Sequence, residues 1–482
     1  MTLFTRRNLF RLTALTTTLM LAGCISVGPD YHRPIEKPVV LQGVDLTHQS
    51  TTQFQVNWWA QFNDTTLNAL ITHAAKNSRD LKIALARLKQ SRALLGGARS
   101  QQLPEVGTVT SYARSRQQTP GFTSNPTTIT SYQAGFDASW ELDIFGGVRR
   151  SVEAARADSQ AGAAALQDAQ VTLFAEVARR YFDLRGTQLR IDVSQRDIDN
   201  QRASLKLITA RANVGTGSEQ DVASASARLA SVQAQLPLLQ TQAQADMFRL
   251  AVLLGDRPGE LKIDLSPKSF HPINTSLPIG QAGDVLARRP DIRVAERELA
   301  AANARIGVAK ADWFPHVTLG GFIGFLAGRS NDFGGANSRA WSLAPSISWE
   351  GLNVQRVRSG VKASQARADE AMANYQRTVL GALEDVDNAL VGYNAQRVRV
   401  QKLDEQATQS TRAADLARLR YEAGATDYLE LLDAQRTQLS AEDQLADAEA
   451  GINLRAIALY KALGGGWQAC PDDRCGGLAS AP

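Results

Sequence analysis

At 482 residues the chain can bury a large core, yet aromatic residues make up only 6% and long tracts are dominated by Ala, Gln, Arg, Asp and Leu. That mixture favours long helices over compact mixed domains. The formal charge is +5, but Arg6, Arg7 and Arg11 precede residue 24 with no acid among them, which leaves +2 beyond it; elsewhere acids and bases alternate as on solvated helices, which excludes a basic nucleic-acid face.

Residues 1–23 read as a signal peptide: basic residues, then an apolar run from Leu12 to Leu21 that is too short for a permanent membrane helix. The run ends in Leu21-Ala22-Gly23-Cys24, which resembles the bacterial lipobox, so Cys24 is expected to carry the lipid and residues 24–64 to form a lipidated N-terminal segment. Several acyl chains give stable anchoring, because each buried CH₂ contributes roughly 0.8 kcal/mol. Ile25 after the cysteine resembles the pattern of lipoproteins sent to the outer membrane. Thr5-Arg6-Arg7-Asn8-Leu9-Phe10 also resembles a twin-arginine signal, but a membrane barrel does not cross as a folded object, so ordinary unfolded export is expected.

The remainder is written twice. Asp80–Pro104 aligns without a gap on Asp291–Pro315, an offset of 211, pairing Ala84 with Ala295, Leu88 with Leu299 and Gly96 with Gly307. Farther on the offset is 209, pairing Trp140 with Trp349, Gly215 with Gly424 and Leu254-Gly255 with Leu463-Gly464. The copies span 65–255 and 284–464, joined by a proline-rich connector at 256–283 and followed by a tail at 465–482.

Each copy runs helix, two strands, long helix, tight turn, helix. The first helix covers 65–100, capped by Asn63-Asp64, and its counterpart covers about 284–312 with Pro290 in its first turns. The period then switches from 3.6 to 2. In 128–142, Thr130, Tyr132, Ala134, Phe136, Ala138, Trp140 and Leu142 share one face, and Ser131, Gln133, Asp137 and Glu141 share the other. Segments 340–350 and 315–326 alternate likewise, and 104–116 does so more weakly. This pattern matches membrane barrel strands with one face to lipid and one to water, and it equally matches the edge of a soluble sandwich. Four strands cannot close a barrel, so a lipid-facing sheet requires several chains to pool their strands. Segments 117–127 and 327–339 would be the external loops.

The long helices, 148–214 and 357–423, contain no internal proline and would each span roughly 90 Å at about 1.5 Å per residue. Both turn back at a glycine and return as 218–254 and 427–463; Pro237 should kink the first return helix, whereas its mate Ala446 should not. Enzyme signatures are missing: there is no GxxxxGK, HExxH or GxSxG, and His32, His48, His73, His271 and His316 lack ligand spacing. Neither catalytic residues, nor a metal, nor any cofactor is expected. Cys470 and Cys475 flank Pro-Asp-Asp-Arg and suit a small structural disulfide in an oxidising compartment.

These residues resemble the TolC/OprM-like outer-membrane efflux channels, in their lipoprotein (NodT-type, RND-associated) branch. The resemblance covers essentially the whole mature chain and rests on Cys24-Ile25-Ser26-Val27-Gly28-Pro29-Asp30-Tyr31-His32-Arg33-Pro34, Trp58-Trp59-Ala60-Gln61-Phe62-Asn63-Asp64, Ala287-Arg288-Arg289-Pro290-Asp291-Ile292-Arg293 and Trp313-Phe314-Pro315. Tyr421-Glu422-Ala423-Gly424 with Leu429–Arg436 completes the set; Glu350-Gly351-Leu352-Asn353 departs from the family's usual Gly-Gly turn. The resemblance implies an α+β membrane protein, a homotrimeric TolC-like α/β barrel. In it, twelve strands pooled from three chains form a transmembrane barrel, helical hairpins form a periplasmic tunnel, and a small equatorial domain sits at mid-height.

It also assigns roles. The turns Val214-Gly215-Thr216-Gly217 and Ala423-Gly424-Ala425-Thr426 would meet a periplasmic membrane-fusion adaptor fed by an inner-membrane RND-type pump. Leu429 and Asp433 (i,i+4) and Glu430 and Asp433 (i,i+3) each project from about one helix face, giving apolar and acidic rings in a trimer and matching the family's closed gate. Without that resemblance they read as a solvated acidic turn steadied by Arg436. Asp221 and Tyr421 match a pair linking neighbouring hairpins, so Asp221→Ala or Tyr421→Phe is expected to loosen the tip; a relative's arginine partner falls here on Thr426. The expected function is passive conduction of drugs or other small toxic solutes out of the cell, with the chain lipid-anchored in and spanning the outer membrane. The alternatives are an export duct for a polypeptide and a coiled-coil periplasmic tether without a pore.

Overall fold

A computed structural model describes residues 26–35, 41–42, 44, 49–50, 56–118, 125–268, 272–273, 277–280 and 286–469. The signal peptide, Cys24, Cys470 and Cys475 lie outside the described residues. In chain order the elements are β1 (Gln49–Ser50), α1 (Thr65–Asn77), α2 (Arg79–Ser100), β2 (Glu105–Gln117), β3 (Thr127–Leu142), α3 (Gly147–Asn213) and α4 (Glu219–Leu254). They continue with β4 (Leu277–Pro278), α5 (Pro290–Ala311), β5 (His316–Ala327), β6 (Arg339–Ser348), α6 (Val354–Glu422) and α7 (Tyr428–Ala462). No described helix is long and apolar enough to cross a membrane.

The chain divides into two units. The first comprises residues 1–35, 87–163 and 294–376. Its centre is a four-stranded antiparallel sheet ordered β2-β3-β5-β6, so β2 and β6 are edges within one chain. The register puts Tyr112 opposite Tyr132, Phe136 opposite Ile323 and Ile323 opposite Trp341, which gathers the apolar residues on one face. That face is bare: Phe136 is 57%, Trp341 80% and Ile347 71% exposed. A soluble sandwich would bury these side chains under a second layer, and among the described residues the only other sheet is the two-residue β1·β4 pair. On the opposite face Gly135 pairs with Gly324, and the Phe322 ring lies over both where a Cβ would sit.

The repeat reuses one device at the ends of its strands. Trp140 donates its indole N–H to the Gln102 carbonyl (3.1 Å), and its mate Trp349 donates to the Trp313 carbonyl (3.1 Å). Each bond satisfies the indole while pinning a strand end to the turn before its partner strand. Residues 26–35 are strapped on by Arg150, which donates to the Val27 carbonyl (3.0 Å) and pairs with Asp30 (2.7 Å), and by the Tyr31 hydroxyl on Glu296 (2.5 Å).

The second unit comprises residues 36–86, 164–293 and 377–482. Its core packs Leu67, Leu70 and Ile71 of α1 with Leu250 and Leu254 of α4, and Trp58 stacks on Tyr460 at 5.3 Å. Asp64 caps α1 through the N–H groups of Thr66 (2.8 Å) and Leu67 (3.0 Å), and its other oxygen accepts from the Tyr181 hydroxyl (2.5 Å). Burial and that carboxylate push the Tyr181 hydroxyl up to about 12. Arg289, of the Ala287–Arg293 motif, pairs with Asp291 (2.6 Å) and Asp385 (3.0 Å) and donates to the Ala462 carbonyl (3.0 Å).

Two helices differ from their sequence expectation. Residues 65–100 form two helices, broken at Ser78 (ψ 134°), because Gly255 crosses there so closely that a Cβ on it would lie 2.5 Å from the Asn77 carbonyl oxygen. In the second copy residues 286–288 are helical and the helix breaks at Arg289, the repeat mate of Ser78, before α5 starts at Pro290, whose fixed φ and missing N–H suit the first helical position. Pro237 lies inside α4, within the span Glu219–Leu254.

Candidate functional site

The sequence points to the two turns that join the long helices to their return helices, and both lie in the second unit. Each closes on the same backbone motif. At the first, Gly215 takes φ +78° and the Thr216 N–H reaches back to the Arg211 carbonyl (2.9 Å). At the second, Gly424 takes φ +74° and the Ala425 N–H reaches the Arg420 carbonyl (2.8 Å). Positive φ requires glycine here, and the bonds satisfy helix-end carbonyls that are otherwise orphaned. Val214 is exposed at 73%, and Gly215, Thr216, Gly217, Ala423, Gly424 and Ala425 are likewise exposed, with Thr426 half-buried.

The return helices start differently. Ser218 caps α4 in a closed box: its side chain accepts from the Asp221 N–H (3.1 Å), and Asp221 accepts from the Ser218 N–H (3.4 Å). Asp427 caps α7 through the Glu430 N–H (3.1 Å), but the Glu430 side chain does not complete a box. It pairs instead with Arg420 (2.9 Å) and accepts from the Thr426 hydroxyl. Thr426, which stands where a relative's arginine falls, shares the Glu430 carboxylate with Arg420.

Beneath the turns Ile208, Ala225, Ala417, Tyr421, Tyr428 and Leu431 form a small apolar cluster. It fixes the first turn of α7, from which Leu429 projects at 70% exposure with Asp433 exposed one turn on. Glu430 and Asp433 lie on the open side of the same turn; Glu430 is steadied by Arg420, not by Arg436. Within one chain Asp221 and Tyr421 are not bonded to each other: Asp221 serves its own cap, and the Tyr421 ring faces Tyr428 at 6.0 Å. Burial pushes the Tyr428 hydroxyl above the usual phenol range, with Tyr421 and Asp221 adding to it and Arg228 opposing it.

Sequence reasoning passed over Arg211 and Arg420. Arg211 places its guanidinium 4.4 Å above the Tyr421 ring and donates to the Glu422 carbonyl (2.8 Å). The 209-residue register makes the two arginines mates, and that signal was available.

An antiparallel sheet with a bare apolar face, in a chain that also carries duplicated long helical hairpins ending in glycine turns, defines a TolC-like outer-membrane channel. The comparisons with known proteins agree. The outer membrane efflux protein family model matches residues 70–256 and 282–465. The pyoverdine export outer membrane protein OpmQ of Pseudomonas putida is 34% identical over 422 residues, which is 86% of this chain and 88% of that protein. The solved outer-membrane channel OprN superposes with a TM-score of 0.90 at 43% identity, covering 92% of this chain and all of that one. The open state of the MtrE channel of Neisseria gonorrhoeae gives a TM-score of 0.81 at 29% identity, covering 92% of this chain and 98% of that one. The chain belongs to the outer membrane efflux protein family. It is an efflux channel of the outer membrane, a conduit and not an enzyme.

Proposed function

We propose that three copies of this chain close one barrel and conduct small toxic solutes passively, receiving them from a periplasmic membrane-fusion adaptor and an inner-membrane RND-type pump. The observation that carries this reading is the sheet: four strands, two unpaired edges in one chain and an exposed apolar face. In lipid each unpaired backbone group costs several kcal/mol, so edges must meet edges of other copies. Drug-type solutes are favoured over a polypeptide because OpmQ, and the toluene efflux proteins of Pseudomonas putida that are 31% identical to this chain, are named for small molecules.

In this reading Cys24 carries the lipid, residues 24–64 wrap the equatorial region, 65–255 and 284–464 are the two repeats, 256–283 connects them, 465–482 is a tail, and Cys470 and Cys475 pair. The turns 214–217 and 423–426 meet the adaptor. Leu429, Glu430 and Asp433 ring the closed end of the tunnel, with Asp221 and Tyr421 beside them. That the MtrE channel has been solved in an open state supports a channel that opens and closes. Planar-bilayer conductance tests the ring: Leu429→Ala and Asp433→Ala should each raise the conductance of the purified channel. Conductance at the wild-type level in both variants would remove these residues from the gate.

A further inference from the structure

The two tip arginines stand at equivalent repeat positions, yet they act on different partners. Arg420 bonds Glu430, and both residues belong to the second hairpin. Arg211 ends the long helix of the first hairpin and reaches across to the second, with its guanidinium plane 4.4 Å above Tyr421 and an N–H on the Glu422 carbonyl (2.8 Å). Glu422 is the last residue of α6, so that carbonyl has no partner within its own helix. Tyr421 is only 5% exposed, and its hydroxyl makes no hydrogen bond among the described residues.

We infer that Arg211 is the positioning residue that holds the second hairpin against the first at the tip, and that it does so through the ring of Tyr421 rather than its hydroxyl. The inference rests on Leu429 and Asp433 forming the gate. Any movement that swings α6 and α7 away from α3 and α4 at this end separates the guanidinium from the ring and from the carbonyl together. The Arg420–Glu430 pair survives that movement, because both partners travel on one hairpin. Asp221 is already engaged by Ser218, and so it leaves Arg211 free of the ion pair that its mate makes. A planar guanidinium suits this double task, stacking on an aromatic face while pointing an N–H at a backbone oxygen; a lysine ammonium does one or the other.

The test compares variants of the full-length channel in planar bilayers, with Leu429→Ala as the control for the gate itself. Arg211→Ala and Tyr421→Leu should each raise the open fraction about tenfold, equivalent to about 1.4 kcal/mol, with Arg211→Lys intermediate. Tyr421→Phe, which a hydroxyl link from Tyr421 to Asp221 would make as open as Tyr421→Leu, should instead stay within about twofold of wild type, because Asp221 is engaged by Ser218 and the cation–aromatic attraction does not use the hydroxyl. Amide exchange at residues 419–425 reports the same loosening independently of conductance, and should quicken in Arg211→Ala but not in Arg420→Ala. The inference is overturned if Tyr421→Phe opens the channel as far as Tyr421→Leu, or if Leu429→Ala opens it while Arg211→Ala leaves it closed. In the second case the gate stands and the latch falls. A channel indifferent to Leu429→Ala removes the gate, and the latch with it.

Discussion

The two hairpin tips share a backbone and little else. Both end a long helix on a glycine at positive φ with the same reach-back bond, three residues before the N-cap of the return helix, which is Ser218 in one copy and Asp427 in the other. At the side chains they part company. Ala212 in the first tip stands where Tyr421 stands in the second, Gln220 where Leu429 stands, and Ser224 where Asp433 stands. The first tip closes on itself through a reciprocal cap; the second carries the buried ring, the exposed leucine and the acidic residues. Duplication has kept what the turn geometry demands and released the rest to specialise, so the gate candidates collect on one hairpin while the other supplies the arginine that steadies it.

The largest expected break in this asymmetry is Tyr421→Ala. Removing a buried ring from the tip cluster should cost about 3 kcal/mol locally and speed amide exchange through residues 417–431. Ala212→Gly at the mate position should cost only about 1 kcal/mol. The backbone half of the comparison is sharpened by Gly215→Ala and Gly424→Ala. Neither added Cβ meets an atom within 4 Å, so each pays conformational strain alone. The two penalties should be equal, about 1–2 kcal/mol each, and clearly unequal losses in thermal stability would show that the turns are not one motif.

A smaller effect separates the caps. Ser218→Ala should fray the start of α4 at a cost of about 1 kcal/mol, and Asp221→Ala should fray the same amides because that box is reciprocal. Glu430→Ala should leave the start of α7 protected, since Asp427 caps it unaided.

The smallest concerns charge. Asp197 of α3 is buried, and burial raises its pKa, with the nearby Glu442 adding and Gln201 and Arg228 opposing; its mate Gln406 is exposed and uncharged. A raised folded-state pKa favours folding below the unfolded value and loses that advantage as pH rises through the folded one. Asp197→Asn should therefore gain stability relative to wild type as pH climbs from about 4 towards neutrality, read as a difference in Tm. A difference that is flat with pH would mean the carboxylate is not penalised by its surroundings.

The fold was legible because its signals are local and repeated: the switch in period at the proline before the first strand of each copy, the alternation from Thr130 to Leu142, and glycines at matched turns. The helix break at Ser78 was not, because its cause is the backbone of Gly255, some 180 residues away along the chain. At the tip, the spacing of Leu429, Glu430 and Asp433 already put them on one turn. What held Glu430 was hidden, since Arg436 is near in sequence while Arg420, ten residues back across the turn, is near in space. Arg211 was missed for the same reason: its partner Tyr421 is a full repeat away.

Everything about the tip presupposes that the strands find neighbours. The direct measurement is the native mass of the detergent-solubilised, full-length protein, followed as detergent is withdrawn. Three chains per particle, with precipitation once detergent is removed, is the expected result; a single chain that stays monodisperse in plain buffer would contradict the account.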